Sequence, residues 1–277
     1  MTLPTICNSP IFIIGSPRSG TSILAWSLAQ HSGLTTSDES NMFFELTRDE
    51  KLEAVYRAAA ARPDSRDWLR MKDVGEDEFL ASLGLGLNVL VTSRSEGRWI
   101  DNTPANTLVA PTLARLFPNA QFIHILRDGR SVVNSMQNFA AAFSDDAREK
   151  FLQAGAMPSF AADFRIACET WVRFVSRAFD FGSRYPDRCL IVRNEALREE
   201  PVTNFSQILS FLDMEHEPAP AQFFRDRKLN SSFPDKPLPG GREVPWDGWS
   251  KSQRATFDEV AGPLLATLPG LGVSQPR

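Results

Sequence analysis

The stretch from Ile11 to Gly33 constrains this chain more than any other. Ile11, Phe12, Ile13 and Ile14 form a short apolar run of the kind that makes a buried strand. Gly15 to Ser22 follows as Gly-Ser-Pro-Arg-Ser-Gly-Thr-Ser. Ile23, Leu24, Ser27, Leu28 and His31 then recur at helical spacing, and Gly33 stands just past the end as a stop signal. Strand, Gly-bounded turn and helix together aim several backbone N–H groups and the positive end of a helix dipole at one place, where an anion belongs.

The loop has the frame of a nucleotide-triphosphate loop, G-x-x-x-x-G-K-[ST], but Thr21 stands where the Lys should be. A cation comes from inside the loop instead, from Arg18, whose planar guanidinium suits bidentate oxyanion contacts rather than acting as a point charge. The exchange argues for a phosphorylated ligand other than ATP.

At 277 residues with no Gly/Ser-rich or Pro-rich linker, residues 1–277 read as one α/β domain. Thirty Lys and Arg against 34 Asp and Glu give a net charge of −4, which offers no basic field for a nucleic-acid partner. Cys7, Cys168 and Cys189 have no metal spacing and leave an odd count, so reduced thiols are expected, with Cys168 and Cys189 in the core. With no signal-peptide pattern and no apolar run long enough for a membrane span, the expected location is the cytoplasm.

Helices are expected over 49–62, after Glu76, over 108–117, from Arg130, along the amphipathic run Phe164, Cys168, Trp171, Val172, Val175, Ala178 and Phe179, around Phe205 to Leu212, and around Phe257 to Leu268. Gly84 and Gly86 argue against an unbroken second helix. Phe122–Leu126 and Leu190–Val192 are further strands, and the Pro- and Gly-rich 223–249 stretch is an irregular loop or lid. Strands alternating with helices imply a mostly parallel central sheet flanked by helices, three layers in all.

The second of these strands ends in Arg127-Asp128-Gly129-Arg130-Ser131-Val132-Val133-Asn134-Ser135. Ligands of open α/β sheets bind outside the carboxyl ends of strands, and Ser131 and Ser135 share a face of the following helix. Arg127 with Ser135 could hold one phosphate, with Arg130 a further candidate; an ordinary surface Arg–Asp pair is the other reading.

Together, Pro17–Ser22 and Leu126–Ser135 resemble the two signatures of sulfotransferases that use 3′-phosphoadenosine 5′-phosphosulfate (PAPS), and Arg115–Phe122 is similar to bacterial members related to tyrosylprotein sulfotransferases, with Asn230–Phe233 in keeping. The resemblance implies a P-loop fold and in-line transfer of a sulfuryl group to a hydroxyl or amine of a small-molecule, glycan or peptide acceptor, leaving 3′,5′-ADP, with no metal. It implies that Arg18, Ser19, Gly20, Thr21 and Ser22 hold the 5′ end and that Arg127 and Ser135 hold the 3′ phosphate. Glu39, beside Asp38, matches the acidic general base of the tyrosylprotein group; His31 and His124 are weaker candidates.

One departure stands out in Trp99-Ile100-Asp101-Asn102-Thr103-Pro104, where the family usually has Lys at the Asn102 position, touching the transferred group. Asn102 can donate a hydrogen bond without charge; either Arg94 or Arg98 compensates, or turnover is weak, or Asp101–Pro104 serves only to shape the loop. The alternatives are a 3′-phosphoadenosine nucleotide-binding protein without transfer and a P-loop small-molecule kinase. Phe43, Phe44, Phe233 and Trp246 are candidate walls of an acceptor pocket.

Overall fold

In the computed structural model, which describes residues 9–61, 68–139, 158–227 and 248–268 with Cys7, Glu149 and Gln153, five parallel strands pair in the order β2-β3-β1-β4-β5. Ile11–Ile14 (β1) is central, Leu34–Thr36 (β2) and Cys189–Arg193 (β5) are the edges, and Arg98–Asp101 (β3) and Gln121–Leu126 (β4) flank β1. Ile11 lies opposite both Ile100 and Gln121, and Ile14 opposite His124.

Strand side chains alternate between faces, so consecutive residues feed different layers. Ile11, Ile13, Ile123 and Ile125 pack with Leu24, Leu28, Phe205 and Ile208 on one side. Phe12, Ile14 and Phe122 pack with Trp99, Leu113, Phe117 and Phe181 on the other. Phe12 is fully buried and lies 5.4–5.5 Å, centroid to centroid, from Phe43, Trp99, Phe117 and Phe122. Burying each such ring contributes about 2–3 kcal/mol, which makes this aromatic knot a main fastening of its layer.

Thr21–Leu28 (α1) leads from β1 to β2. Met42–Thr47 (α2), Lys51–Ala60 (α3), Trp68–Met71 (α4) and Glu76–Thr92 (α5) follow before β3. A 3-10 turn, Pro104–Val109, and Ala110–Leu116 (α6) return the chain to β4. Gly129–Gln137 (α7), Ser159–Ala162 (α8) and Phe164–Arg184 (α9) precede β5. Asn194–Glu199 (α10), Pro201–Phe211 (α11), Ala219–Asp226 (α12), Lys251–Val260 (α13) and Gly262–Thr267 (α14) complete the layers. No helix among the described residues is long and apolar enough to cross a membrane.

The expected α/β sheet is present, with local corrections. β2 and β3 add to the three expected strands; Leu-Thr-Thr and Arg-Trp-Ile-Asp are too short and too polar to carry a period. The helix after Glu76 runs unbroken, because a side chain at Gly84 would drive its Cβ into the Leu116 carbonyl oxygen: the glycine lets α5 lie on the end of α6. The helix expected from 49 starts at Lys51, since Asp49 and Glu50 have φ of 60° and 53°, outside the right-handed region. The last helix is two pieces around Ala261, with Pro263, which lacks an N–H, in the first turn of the second. Phe223–Asp226 is helical rather than loop, and 228–247, including Asn230–Phe233, Phe233 and Trp246, lies outside the described residues. Cys168 and Cys189 are buried as expected, and burial pushes both thiols up to about 12.

Candidate active site

The chain leaves β1 through α1 toward β2 and leaves β4 through α7 toward β5, so the connections diverge between two adjacent strands. That crevice at the carboxyl ends is the switch point where open α/β sheets take ligands. A cavity of about 360 Å³ opens there.

The first loop makes one limb. Gly15 sits where a Cβ would be 2.5 Å from the Ile125 carbonyl oxygen, so only glycine lets the chain turn off β1 this close to β4. The Ser19 N–H donates to the Ser16 carbonyl at 3.1 Å, closing a turn with Pro17 second and Arg18, at φ 70°, third. A positive φ at that place normally selects glycine, so the backbone bears strain of about 1 kcal/mol to keep an Arg there. Gly20, at φ 102°, opens α1, and Thr21 and Ser22 put the helix's first turn on the cavity wall. Ser19 is buried, and its Oγ has no hydrogen-bond partner among the described residues.

β4 and α7 make the second limb. Arg127 and Ser135 both line the cavity, and Arg18 Nε donates to Ser135 Oγ at 3.2 Å across 117 positions of sequence. Arg127 Nη1 donates to the Arg18 carbonyl at 3.1 Å. Trp171 Nε1 donates to the Arg127 carbonyl at 3.3 Å, and its ring covers Gly129, so the aromatic stripe of α9 both fills core and clamps this turn. Burial and then the Arg127 charge lower the Arg18 pKa below the usual guanidinium value, and the Glu39 carboxylate partly offsets them. Two guanidinium groups held together at a cavity are relieved by an anion. Arg130 is folded onto Asp128, whose Oδ1 also accepts the Arg130 N–H at 2.8 Å as the cap of α7; neither Arg130 nor Ser131 lines the cavity.

Glu39 lines the same cavity from the loop after β2, beside Asn41. That loop is tied to the end of β3: Ser40 Oγ donates to Asp101 Oδ2 at 2.9 Å, and the Asn41 N–H to Thr103 Oγ1 at 3.4 Å. Burial raises the Asp101 pKa, opposed by hydrogen bonds from Thr103, Ser40 and Asn106.

Asn102 does not come into the group. It is 2 % exposed, its Oδ1 has no partner among the described residues, and it is not among the cavity-lining residues. Arg98 cannot substitute, because it starts β3 while Asn102 follows its end, about 13 Å along a strand. It spends its guanidinium on Ser9, Gln121 and the Leu212 carbonyl at the far edge of the sheet. Arg94 is exposed in the turn just past α5 and donates to the Leu90 carbonyl. Phe43 is core and Phe44 packs beside that core, so neither forms an acceptor wall.

His31 accepts the Gly33 N–H at Nδ1, 2.9 Å, and faces the Glu215 carbonyl through Nε2, 2.9 Å, a structural link away from the cavity. His124 is fully buried edge-on to Phe179, 5.1 Å between centroids, and burial alone takes its pKa down to about 3.

The sequence reading missed the third limb. Asn194, just past β5, donates through Nδ2 to the Ser19 carbonyl at 3.0 Å, and Arg198 Nε donates to Asn194 Oδ1 at 2.9 Å. Both line the cavity, as do Phe139, Phe160 and Phe174. The rule that ligands sit beyond strand ends, applied to Leu126-Arg127, would have found Val192-Arg193-Asn194 as well.

Fold and site together define an α/β phosphate-loop protein with a cavity lined by three Arg side chains, Arg18, Arg127 and Arg198. The chain belongs to the sulfotransferase family, whose model matches residues 10–218. It is 24% identical over 270 residues to a putative protein-tyrosine sulfotransferase of Caenorhabditis briggsae, covering 93% of this chain and 88% of that one. It is 27% identical over 221 residues to protein-tyrosine sulfotransferase 1 of Danio rerio, covering 77% of this chain and 56% of that relative's length. Among solved structures, the sulfotransferase domain from the curacin biosynthetic pathway superposes with a TM-score of 0.57 at 20% identity, covering 96% of this chain and 100% of that one, a likeness of fold.

Proposed function

We propose that the cavity binds PAPS and that the chain transfers its sulfuryl group to a hydroxyl or amine. The observation that carries the reading is the convergence of Arg18 with Ser135 and Arg127 on one cavity that Glu39 also lines. The residues present fit such a donor: glycine backbone at Gly15 and Gly20 where a Cβ would collide, a buried Ser19 hydroxyl without a partner among the described residues, and two adjacent guanidinium groups. Bound there, PAPS supplies a sulfuryl group on a phosphate that departs as 3′,5′-ADP.

The chain's own residues would do the rest. Arg18 and the first-turn N–H groups of Thr21 and Ser22 would balance charge at the 5′ end, Arg127 and Ser135 would hold the 3′ phosphate, and Glu39 would accept the acceptor's proton. The names of the relatives make tyrosyl peptides the first acceptors to try. A cytoplasmic site is in keeping with three free thiols.

The test is titration with 3′,5′-ADP and transfer of ³⁵S from PAPS to a tyrosine peptide and to 4-nitrophenol. Arg18→Gly is the informative variant, because glycine suits φ 70° while the cation is lost. Its binding should fall at least tenfold with no loss of melting temperature, Arg127→Ala should weaken 3′,5′-ADP similarly, and Glu39→Gln should bind normally while transfer drops. Unchanged 3′,5′-ADP affinity in Arg18→Gly would sink the assignment. A second reading, nucleotide binding without transfer, is favoured by Asn102 lying outside the cavity; it predicts 3′,5′-ADP binding with no labelled product.

A further inference from the structure

The turn between β3 and α6 touches both halves of the site. Thr107 Oγ1 accepts the Gly15 N–H at 2.8 Å and donates back to the Gly15 carbonyl at 3.0 Å, which pins the start of the phosphate loop. Six residues earlier, Asp101 accepts the Thr103 N–H at 2.9 Å and Asn106 Nδ2 at 2.8 Å on Oδ1, which stiffens the turn itself. Its other oxygen accepts Ser40 Oγ at 2.9 Å, and Ser40 is the neighbour of Glu39. Ser40 Oγ in turn accepts the Met42 N–H at 3.2 Å, joining the loop to α2. Pro104 and Ala105, between these anchor points, form cavity wall.

We propose that Asp101, acting through Ser40, is a positioning residue that holds Glu39 at a set place relative to Arg18, with Thr107 fixing the phosphate loop from the same turn. The inference rests on Glu39 as base. The physical case is that Glu39 sits in a loop of exposed residues, 37–41, which Ser40 and Asn41 tie to the buried turn after β3. Asp101 is 8 % exposed, so its hydrogen bonds compete little with water and its carboxylate is immobile. An exposed loop tied to the buried acceptors Asp101 and Thr103, the shorter bond being the one to Asp101, holds a side chain to the tolerance that proton transfer needs, since misplacing a reacting group by 1 Å can cost about 100-fold in rate.

The test compares wild type with Ser40→Ala, Ser40→Thr, Asp101→Asn and the double variant Ser40→Ala/Asp101→Asn. Crystals with 3′,5′-ADP should show the Glu39 carboxylate displaced from the cavity in Ser40→Ala while Arg18 and Arg127 stay in place; this readout needs no acceptor. Single-turnover ³⁵S transfer from PAPS to the tyrosine peptide should fall at least tenfold in Ser40→Ala, with 3′,5′-ADP affinity within twofold of wild type. Ser40→Thr, which keeps the hydroxyl, should recover the rate. The double variant should be no worse than the poorer single, because both changes break one hydrogen bond. An unmoved Glu39, or additive losses in the double variant, would overturn the inference. If wild type binds no 3′,5′-ADP, the proposed function fails on its own, and crystals of the unliganded variants still decide whether Ser40 places Glu39.

Discussion

Gly20 and Asn194 allow the junction of the first and third limbs to be weighed in kcal/mol. In Gly20→Ala the new Cβ must take φ 102° and would land well inside contact distance of Asn194 Nδ2, the group that holds the Ser19 carbonyl. The left-handed backbone costs about 1–2 kcal/mol, and displacing Asn194 forfeits a buried hydrogen bond of about 1 kcal/mol. The sum is about 2–3 kcal/mol, or a fall in melting temperature of roughly 3–6 °C for a chain of this length. Asn194→Ala alone loses the bond to Ser19, about 1 kcal/mol, and the part-buried bond from Arg198, about 0.5–1 kcal/mol, and vacates the space the Cβ needs. The double variant should therefore be less stable than Gly20→Ala by no more than the Arg198 bond, a coupling of about 1 kcal/mol against simple addition because the Ser19 bond is lost only once. Thermal or urea unfolding of the four proteins reads the cycle, and 3′,5′-ADP titration should show both singles weakened. Additivity to within about 0.4 kcal/mol would refute the claim that one contact joins these limbs.

Two further outcomes can be checked by unfolding alone. In α5, Gly84→Ala pushes against the Leu116 carbonyl and should destabilise by about 2–3 kcal/mol, whereas Gly86→Ala meets nothing within 4 Å and should gain about 0.5–1 kcal/mol. His124 binds a proton at an ordinary pKa of 6.5 when unfolded but only at about 3 when folded, so the unfolded state is favoured as pH falls from 6.5 toward 3. His124→Leu removes that penalty and two ring nitrogens without partners among the described residues, so its stability relative to wild type should rise between pH 7 and pH 5, read from urea midpoints.

What the residues disclosed depended on whether the physics was local. β1, the Gly15–Ser22 turn and α1 lie in one continuous stretch, and Arg127–Ser135 obeys the same rule about strand ends, so both anion limbs were readable. Glu39 was reachable through the family resemblance, but its setting was not, because Asp101 and Ser40 meet only when β2 and β3 pair. β2 and β3 carry no period of their own; they are strands because β1 offers an unsatisfied edge and Trp99 and Ile100 have a core to enter. Asn194 escaped because its partner, the Ser19 carbonyl, is backbone, and backbone acceptors leave no mark in a residue pattern. Arg98 misled for the converse reason: its charge looked available near Asn102, yet strand rise carries it to the other end of the sheet, where carbonyls absorb it.

The span of the site's contacts has a kinetic consequence. Arg18 reaches Ser135 across 117 positions, which requires β4 to have docked beside β1, and Ser19 reaches Asn194 across 175, which requires β5 to have docked beside β4 as well. Parallel pairings of such separation close late and slowly, since loop entropy is lost before the contacts form. A refolding chain followed by 3′,5′-ADP capture should thus stay silent through collapse and helix formation and report only the last strand to join. The pocket is in that sense a proofreader of its own sheet, complete only after the crossovers to β4 and β5 have been threaded.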